Sequence, residues 1–336
     1  MKNLPLFRCV LTALALAGAA GGAHAQADYS VYGVADFSYG RFEASGFESR
    51  HRFNSNSLSA SFVGVNGSYA FDGGWKPGIT LETFVRFQDF KTGRNDDDPF
   101  FSRKAFVSLA SNYGSLSVGR LQTLLFDTTA RFNAMGNSPA FSPAIRHVFL
   151  SGNLESVQRD FYWNRGVGYV SPNWEGVTGS AMYALGPNHD RSDLFGANVV
   201  VSRGLFAAAL STQRVHVNDG INDPTDEQTW QLGATYNFGW ARLFGLYTRT
   251  DDNGLDVRSN LYSVGAAVPL GPGAIQLQAG LARARGLAVD RKQTTVSAAY
   301  LYAFNSVTDI YVVAMNDRVR RQTDGVSFAI GARYRF

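Results

Sequence analysis

The stretch Val326-Ser327-Phe328-Ala329-Ile330-Gly331-Ala332-Arg333-Tyr334-Arg335-Phe336 decides the fold. Successive side chains of a strand point to opposite faces. Val326, Phe328, Ile330, Ala332, Tyr334 and Phe336 then form one apolar file, while Arg333 and Arg335 share the other face with Ser327 and Ala329. An aliphatic file ending in aromatics, backed by a polar file, suits a strand with lipid on one side and water on the other.

The same alternation recurs upstream. A third such segment puts Ile79, Leu81, Thr83, Val85 and Phe87 on one face and Thr80, Glu82, Arg86 and Gln88 on the other, with Phe84. A tenth sets Trp230, Leu232, Ala234, Tyr236 and Phe238 against Gln231, Gly233, Thr235 and Asn237. A fourteenth sets Val296, Ala298, Tyr300, Tyr302 and Phe304 against Thr295, Ser297, Ala299 and Ala303. No helical period persists, and no apolar run reaches the ~20 residues a membrane-spanning helix needs.

Connections alternate between short turns rich in Gly, Asn, Asp and Pro, such as Phe71-Asp72-Gly73-Gly74, and longer charged stretches: 91–99, 188–193, 218–227, 251–256 and 317–324. Short turns on one side and long loops on the other are the pattern of an outer-membrane barrel. Counting between connections gives roughly sixteen strands at about 19 residues per strand plus connection. The expected fold is all-β: a 16-stranded antiparallel transmembrane β-barrel. A soluble sandwich or propeller has no need for aromatics at both strand ends. Here Tyr29, Tyr39, Trp75, Trp174, Tyr183, Trp230, Trp240 and Tyr334 recur there, as two interfacial girdles require.

Lys2 and Arg8, an apolar stretch from Val10 to Ala20, and Ala23-His24-Ala25 read as a secretory signal peptide over 1–25, with the mature barrel over 26–336. The single cysteine, Cys9, falls inside that signal, so the mature chain has no disulfide to lean on. A closed barrel needs none, because each backbone N–H and C=O pairs with a neighbouring strand. The formal charge of +4 falls to +2 without Lys2 and Arg8, too mild to argue for nucleic acid.

One connection breaks the pattern. After Ser115-Leu116-Ser117-Val118-Gly119-Arg120 no strand is legible until about Asp160. A structureless stretch of that length in a compact fold is usually functional. It contains Leu124, Phe126, Phe132, Met135, Phe141, Ile145, Phe149 and Leu150, too apolar for a solvated loop. The expectation is a constriction loop over 121–159, the third long loop, folded back into the lumen.

These features together resemble the trimeric sixteen-stranded porins of the β-proteobacterial type, in order along essentially the whole mature chain. The resemblance is carried by Val31-Tyr32-Gly33-Val34-Ala35-Asp36, Phe101-Ser102-Arg103-Lys104-Ala105-Phe106, Tyr113-Gly114-Ser115-Leu116-Ser117-Val118-Gly119-Arg120, Tyr169-Val170-Ser171-Pro172-Asn173-Trp174, Tyr262-Ser263-Val264-Gly265 and the last strand. It departs at the tip of loop three, where Asn137-Ser138-Pro139-Ala140-Phe141 stands in place of an acidic segment. The resemblance implies a homotrimer, passive diffusion of small hydrophilic solutes and inorganic ions, and frequent anion preference. It also implies a cluster of lumen arginines at Arg86, Arg103 and Arg120, and a terminal aromatic, Phe336, that resembles the signal read by the barrel assembly machinery. Outer-membrane lipid and lipopolysaccharide would surround such a barrel.

Selectivity in a wide pore comes from charge at its narrowest point. The candidates are Arg86, Arg103, Arg120, Arg131, Glu82 and Asp127, with Arg146 and Glu155 also on the long loop and with Arg333 and Arg335 at a lumen mouth. The arginines could guide ions or pin the loop through its carboxylates. Asp96-Asp97-Asp98 reads as a solvated acid run, with calcium the lesser reading. No catalytic site is expected, because His51, His147, His189 and His216 stand isolated from any nucleophile and orienting group. No cofactor or metal is expected. A substrate-specific channel with a binding site at loop three is the alternative to a general diffusion pore; a closed structural barrel is a third.

Overall fold

The computed structural model describes residues 27–150, 160–186, 192–217, 225–287 and 289–336. The expected signal peptide and Glu155 lie outside them. Sixteen long strands form the wall: β1 Ala27–Phe42, β2 Phe62–Tyr69, β3 Lys76–Arg86, β4 Lys104–Ser111, β5 Gly114–Gln122, β6 Tyr162–Val170, β7 Val177–Leu185, β8 Asp193–Arg203, β9 Phe206–Val217, β10 Thr225–Asn237, β11 Arg242–Asp252, β12 Val257–Leu270, β13 Gly273–Gly286, β14 Asp290–Ala303, β15 Thr308–Val319 and β16 Gly325–Arg335. Each pairs antiparallel with the next. The barrel closes where β1 pairs with β16 from Val34–Arg335 to Arg41–Phe328 and with β2 from Ala27–Tyr69 to Val34–Phe62. Two short strands add to the rim: Arg50–Asn54 lies against the end of β1, and Lys91–Thr92 against the end of β3.

Closure leaves no sheet edge, so every strand can cross lipid with its backbone paired. The side-chain faces follow the sequence alternation. In β16, Val326, Phe328, Ile330, Ala332 and Tyr334 are exposed outward, and Ser327 and Ala329 are buried inward. In β14, Val296 and Ala298 face out while Thr295, Ser297 and Ala299 are buried. Outward Tyr29, Trp75, Trp174, Trp240 and Tyr334 ring the end with short turns, and Tyr39, Tyr183, Trp230 and Tyr262 lie toward the other.

Several connections are shorter than the sequence suggested: β8 already begins at Asp193 and β10 at Thr225. β11 runs on to Asp252 and β15 to Val319, leaving only 253–256 and 320–324 between strands. Charged residues there sit in strand that continues past the apolar band, where charge is tolerated, so they read falsely as loop. The third long connection behaves differently. It forms a helix, α1 Leu124–Arg131, then a turn Pro143–Ile145 that runs into a single π-helical turn, Arg146–Leu150.

The core lies between this segment and the wall. Leu125, Phe126, Phe132, Ala144, Ile145, Val148 and Phe149 pack on the inward residues Ala209, Leu246, Leu261 and Ala282. Met135 and Phe141 pack on Leu58 and on Ala299, Tyr311, Val313, Met315 and Ala329. The apolar residues of the long loop therefore cover wall side chains inside the barrel, and the loop is buried by this contact rather than solvated.

Candidate functional site

Helix α1 is set by Thr123, whose hydroxyl accepts from the Phe126 N–H at 3.3 Å as an N-cap. Leu125, Phe126, Thr128 and Thr129 turn to the wall. Asp127 and Arg131, one helical turn apart, share the opposite face and are exposed to the lumen. Polar tethers hold the wall side: Thr128 Oγ1 meets Ser211 Oγ at 2.6 Å, and Gln231 Nε2 donates to Thr129 Oγ1 at 2.8 Å. Further on, the Ala134 N–H donates to Gln278 Oε1 at 2.6 Å and the Ser138 hydroxyl to the Ser57 carbonyl at 2.6 Å.

Two inward glycines make this docking possible. A Cβ at Gly233 would lie 2.7 Å from the Phe132 ring, and one at Gly280 would lie 2.9 Å from Pro143 and 3.2 Å from His147. A glycine within a strand often marks the close approach of another segment. That signal was present in both strands.

The first loop also turns inward. Asp36 on β1 is fully buried and accepts from the N–H groups of Ser57 and Ser59 at 3.0 and 3.1 Å, and from the Tyr311 hydroxyl at 2.9 Å. The 55–61 segment is thereby drawn under the tip of the long loop, where Leu58 meets Met135 and Phe141.

Loop three is flanked by two cavities whose linings carry charged side chains. One, of about 750 Å³, lies between Arg103, Gln122, Asp127 and Arg131 and the wall residues Thr178, Ser180, Asn198 and Ser202. Arg131 donates to Ser202 Oγ across it at 2.8 Å. The other, of about 380 Å³, is lined by Arg50, Arg52 and Arg146 with Glu43, Asn54 and Asn56. On each lining arginines outnumber carboxylates. Arg50 and Arg52 were not among the sequence candidates; they lie on the short rim strand, whose position follows only from its pairing with β1.

The sequence candidates do not form one cluster. Arg103 contacts the Glu82 carboxylate, stacks 3.9 Å over the Phe62 ring, and shares Glu82 with the Tyr32 hydroxyl, which donates at 2.5 Å. Arg120 is buried, donating to the carbonyls of Ser102 and Tyr162 at 2.9 and 3.2 Å and to Asp160 at 3.0 Å. Arg94 of the second loop reaches the other oxygen of Asp160 at 2.6 Å, so one carboxylate ties two loops. Arg86 pairs with Asp96 and lies 3.5 Å from Asp89. Arg86 and Lys91 hold the Asp96 carboxyl down at about 2, and Asp98 is bound by Arg94. Two carboxylates of the acid run, Asp96 and Asp98, are thus held by cations of their own loop and strand.

Arg333 and Arg335 lie on the inward face, as read, but both grip Asp309 at 2.6 Å, and Arg333 also donates to Ser59 Oγ at 2.8 Å. Of the six constriction candidates, only Arg103, Asp127 and Arg131 meet on one cavity. Arg86 and Arg120 are engaged in holding loops. Sequence separation hid the partners Asp160, Asp309, Arg94 and Tyr32, which reach the site from other strands and loops.

A family model described as Gram-negative porin matches residues 11–322. Outer membrane porin protein 32 of Delftia acidovorans is 28% identical over 316 residues, covering 90% of this chain and 87% of that protein. Among solved structures, an anion-selective porin from Comamonas acidovorans superposes with a TM-score of 0.79 at 22% identity, covering 93% of this chain and 100% of that one. The trimer form of OmpT from Vibrio cholerae gives 0.69 at 16% identity, covering 92% and 99%.

Proposed function

The chain belongs to the Gram-negative porin family, and from that premise we propose that it is a water-filled outer-membrane channel for passive diffusion of small hydrophilic solutes and ions, with mild anion preference. The observation that carries the preference is a set of arginines beside loop three that form no ion pair among the described residues, Arg50 and Arg52 on one cavity and Arg131 on the other. In a lumen walled by low-dielectric protein, unbalanced charge raises the local concentration of counter-ions. Cations not cancelled by carboxylates therefore favour chloride and organic anions.

Within this reading the 121–159 segment is the constriction. Arg131, Arg50 and Arg52 attract the permeating anion, Asp127 moderates them, and Glu82 holds the charge of Arg103 in check. Arg86, Arg120, Arg333 and Arg335 act through loop geometry. The removable signal over 1–25, the homotrimer, recognition of Phe336 by the assembly machinery and contact with lipopolysaccharide belong to the same proposal. The OmpT relative known in a trimer form supports the trimer. We read the protein as a channel and assign it no catalysis.

The experiment is solute flux into liposomes carrying the purified protein. Rates that rise linearly with concentration for unrelated small sugars and amino acids support a diffusion pore. Saturable flux confined to one solute class supports the substrate-specific alternative and removes the general one.

A further inference from the structure

The short rim strand Arg50–Asn54 has two faces of opposite character. Its Phe53 packs on the outward rings of Phe37 and Tyr39, with centroids 5.2 and 4.9 Å apart, and His51 lies 6.4 Å from Tyr39. Arg50, Arg52 and Asn54 alternate with these residues and turn to the lumen. There Asn54 Nδ2 donates to Ser57 Oγ at 3.0 Å, on the segment drawn under loop three. The two arginines spring from Cα atoms about 7 Å apart on one strand face, and they repel unless an anion joins them.

No carboxylate of the surroundings cancels them. Among the described residues neither Arg50 nor Arg52 forms an ion pair. Glu43, the carboxylate of the same cavity, pairs with Arg41 at 2.8 Å and accepts the Val326 N–H at 3.1 Å. Asp317 lies 3.6 Å from Arg146 and accepts from Thr295 Oγ1 and Gln293 Nε2 at 2.6 and 2.8 Å. The third cation, Arg146, therefore shares an anion that two wall side chains also hold. The surplus charge is that of Arg50 and Arg52.

The cavity of about 380 Å³ that these arginines share has an apolar side. Phe42, opposite Arg50 in the strand register, lines it with Pro139, Ala140 and Met315. The Arg52 guanidinium carbon lies 4.9 Å from the Phe42 ring centroid. Phe42 is in turn backed by Phe141 of the loop tip, with centroids 5.9 Å apart. A guanidinium pair, an aromatic ring and a thioether side chain thus surround one space, whose volume falls in the lower range of small-molecule sites. Phe42 ends β1 on the side of the long loops, so a solute entering there meets the cavity beside the tip of loop three.

We propose that this cavity is a binding site for a monocyclic aromatic carboxylate of the benzoate class. The arginine forks take the carboxylate oxygens, and the ring lies against Phe42 and the Met315 side chain. An inorganic anion or a short aliphatic acid would satisfy the charges but leave the apolar side facing water. A neutral aromatic would leave both guanidinium groups without an anion. The proposal rests on the anion-channel reading for access to the cavity, and adds a resting place for one class of anion that this reading does not itself require.

The test is equilibrium dialysis of the full protein in detergent and low-salt buffer against radiolabelled benzoate, acetate and benzamide, with empty micelles as the blank. Wild type should bind benzoate saturably, one molecule per barrel, and about tenfold more tightly than acetate or benzamide, the ratio that a lost ring contact or a lost charge-assisted bond gives. The double variant Arg50→Gln, Arg52→Gln should lower benzoate affinity to that of benzamide. Phe42→Leu should lower it toward that of acetate. No saturable benzoate binding, equal binding of acetate or benzamide, or wild-type affinity in either variant would each overturn the proposal. Binding is read without current, so the two readings fail separately. Barrels that bind benzoate but carry no current would remove the channel reading alone, and conducting barrels without saturable benzoate would remove this site alone.

Discussion

Phe336 closes the barrel on Gly33. The Gly33 N–H donates to the Phe336 carbonyl at 2.9 Å, the Phe336 N–H donates back at 3.2 Å, and the terminal ring lies 2.6 Å from where a Cβ at position 33 would stand. The first strand thus carries no side chain at the point where the last residue must seat its aromatic ring.

Gly33→Val should block that seat, and deletion of Phe336 should empty it. Both variants should give a lower yield of heat-modifiable folded protein on electrophoresis. Barrels that do form should keep wild-type single-channel conductance, since neither residue lines the lumen. Wild-type folding yield in both would refute the closing role.

Loop three depends on the absence of side chains at Gly233 and Gly280. Leucine at either position collides with Phe132, or with Pro143 and His147. Overpacking of this kind costs about 1–3 kcal/mol, and the loop can relieve it by leaving the wall. Conductance should rise and become noisier. A decrease would mean that the displaced loop blocks the lumen.

Glu82→Gln removes the carboxylate beside Arg103, a pair whose side chains are only 3% and 10% exposed. Breaking a buried pair costs about 3–5 kcal/mol, and it frees a lumen cation. The variant should unfold more readily and pass chloride with greater preference. Arg131→Gln should move selectivity the other way. Shifts of opposite sign from the wild-type zero-current potential in the two variants are the check.

Burial, reinforced by neighbouring Arg146, pushes the His147 imidazole down to about 3, against an ordinary value near 6.5. The docked loop holds it neutral, while a released loop takes up a proton below 6.5. The stability of docking is therefore complete above pH 6.5 and declines as pH falls toward 3. Limited proteolysis of loop three should accelerate across that window in wild type and much less in His147→Gln.

The wall was legible because its information is local. The alternation in β3, β10, β14 and β16 assigns faces from neighbours two residues apart, and the structure keeps those faces. The long loop was legible from its apolar content. Its anchors were not, because Asp160, Asp36 and Asp309 act on residues far away in sequence. Arginines look alike in a sequence whether they line water or clamp a carboxylate. Arg103 and Arg120 stand one strand apart and are both buried, Arg103 against Glu82 at the edge of a lumen cavity and Arg120 against Asp160. The inward glycines of β10 and β13 were the overlooked local clue to where the loop docks.

The central claim is an open pore whose uncancelled arginines favour anions. Its most direct test is the zero-current potential of the purified protein in a planar bilayer under a potassium chloride gradient. A potential displaced toward the chloride equilibrium value, shrinking as salt screens the lumen charge, is the expected result. A potential displaced toward potassium, or folded trimers that carry no current, would contradict it.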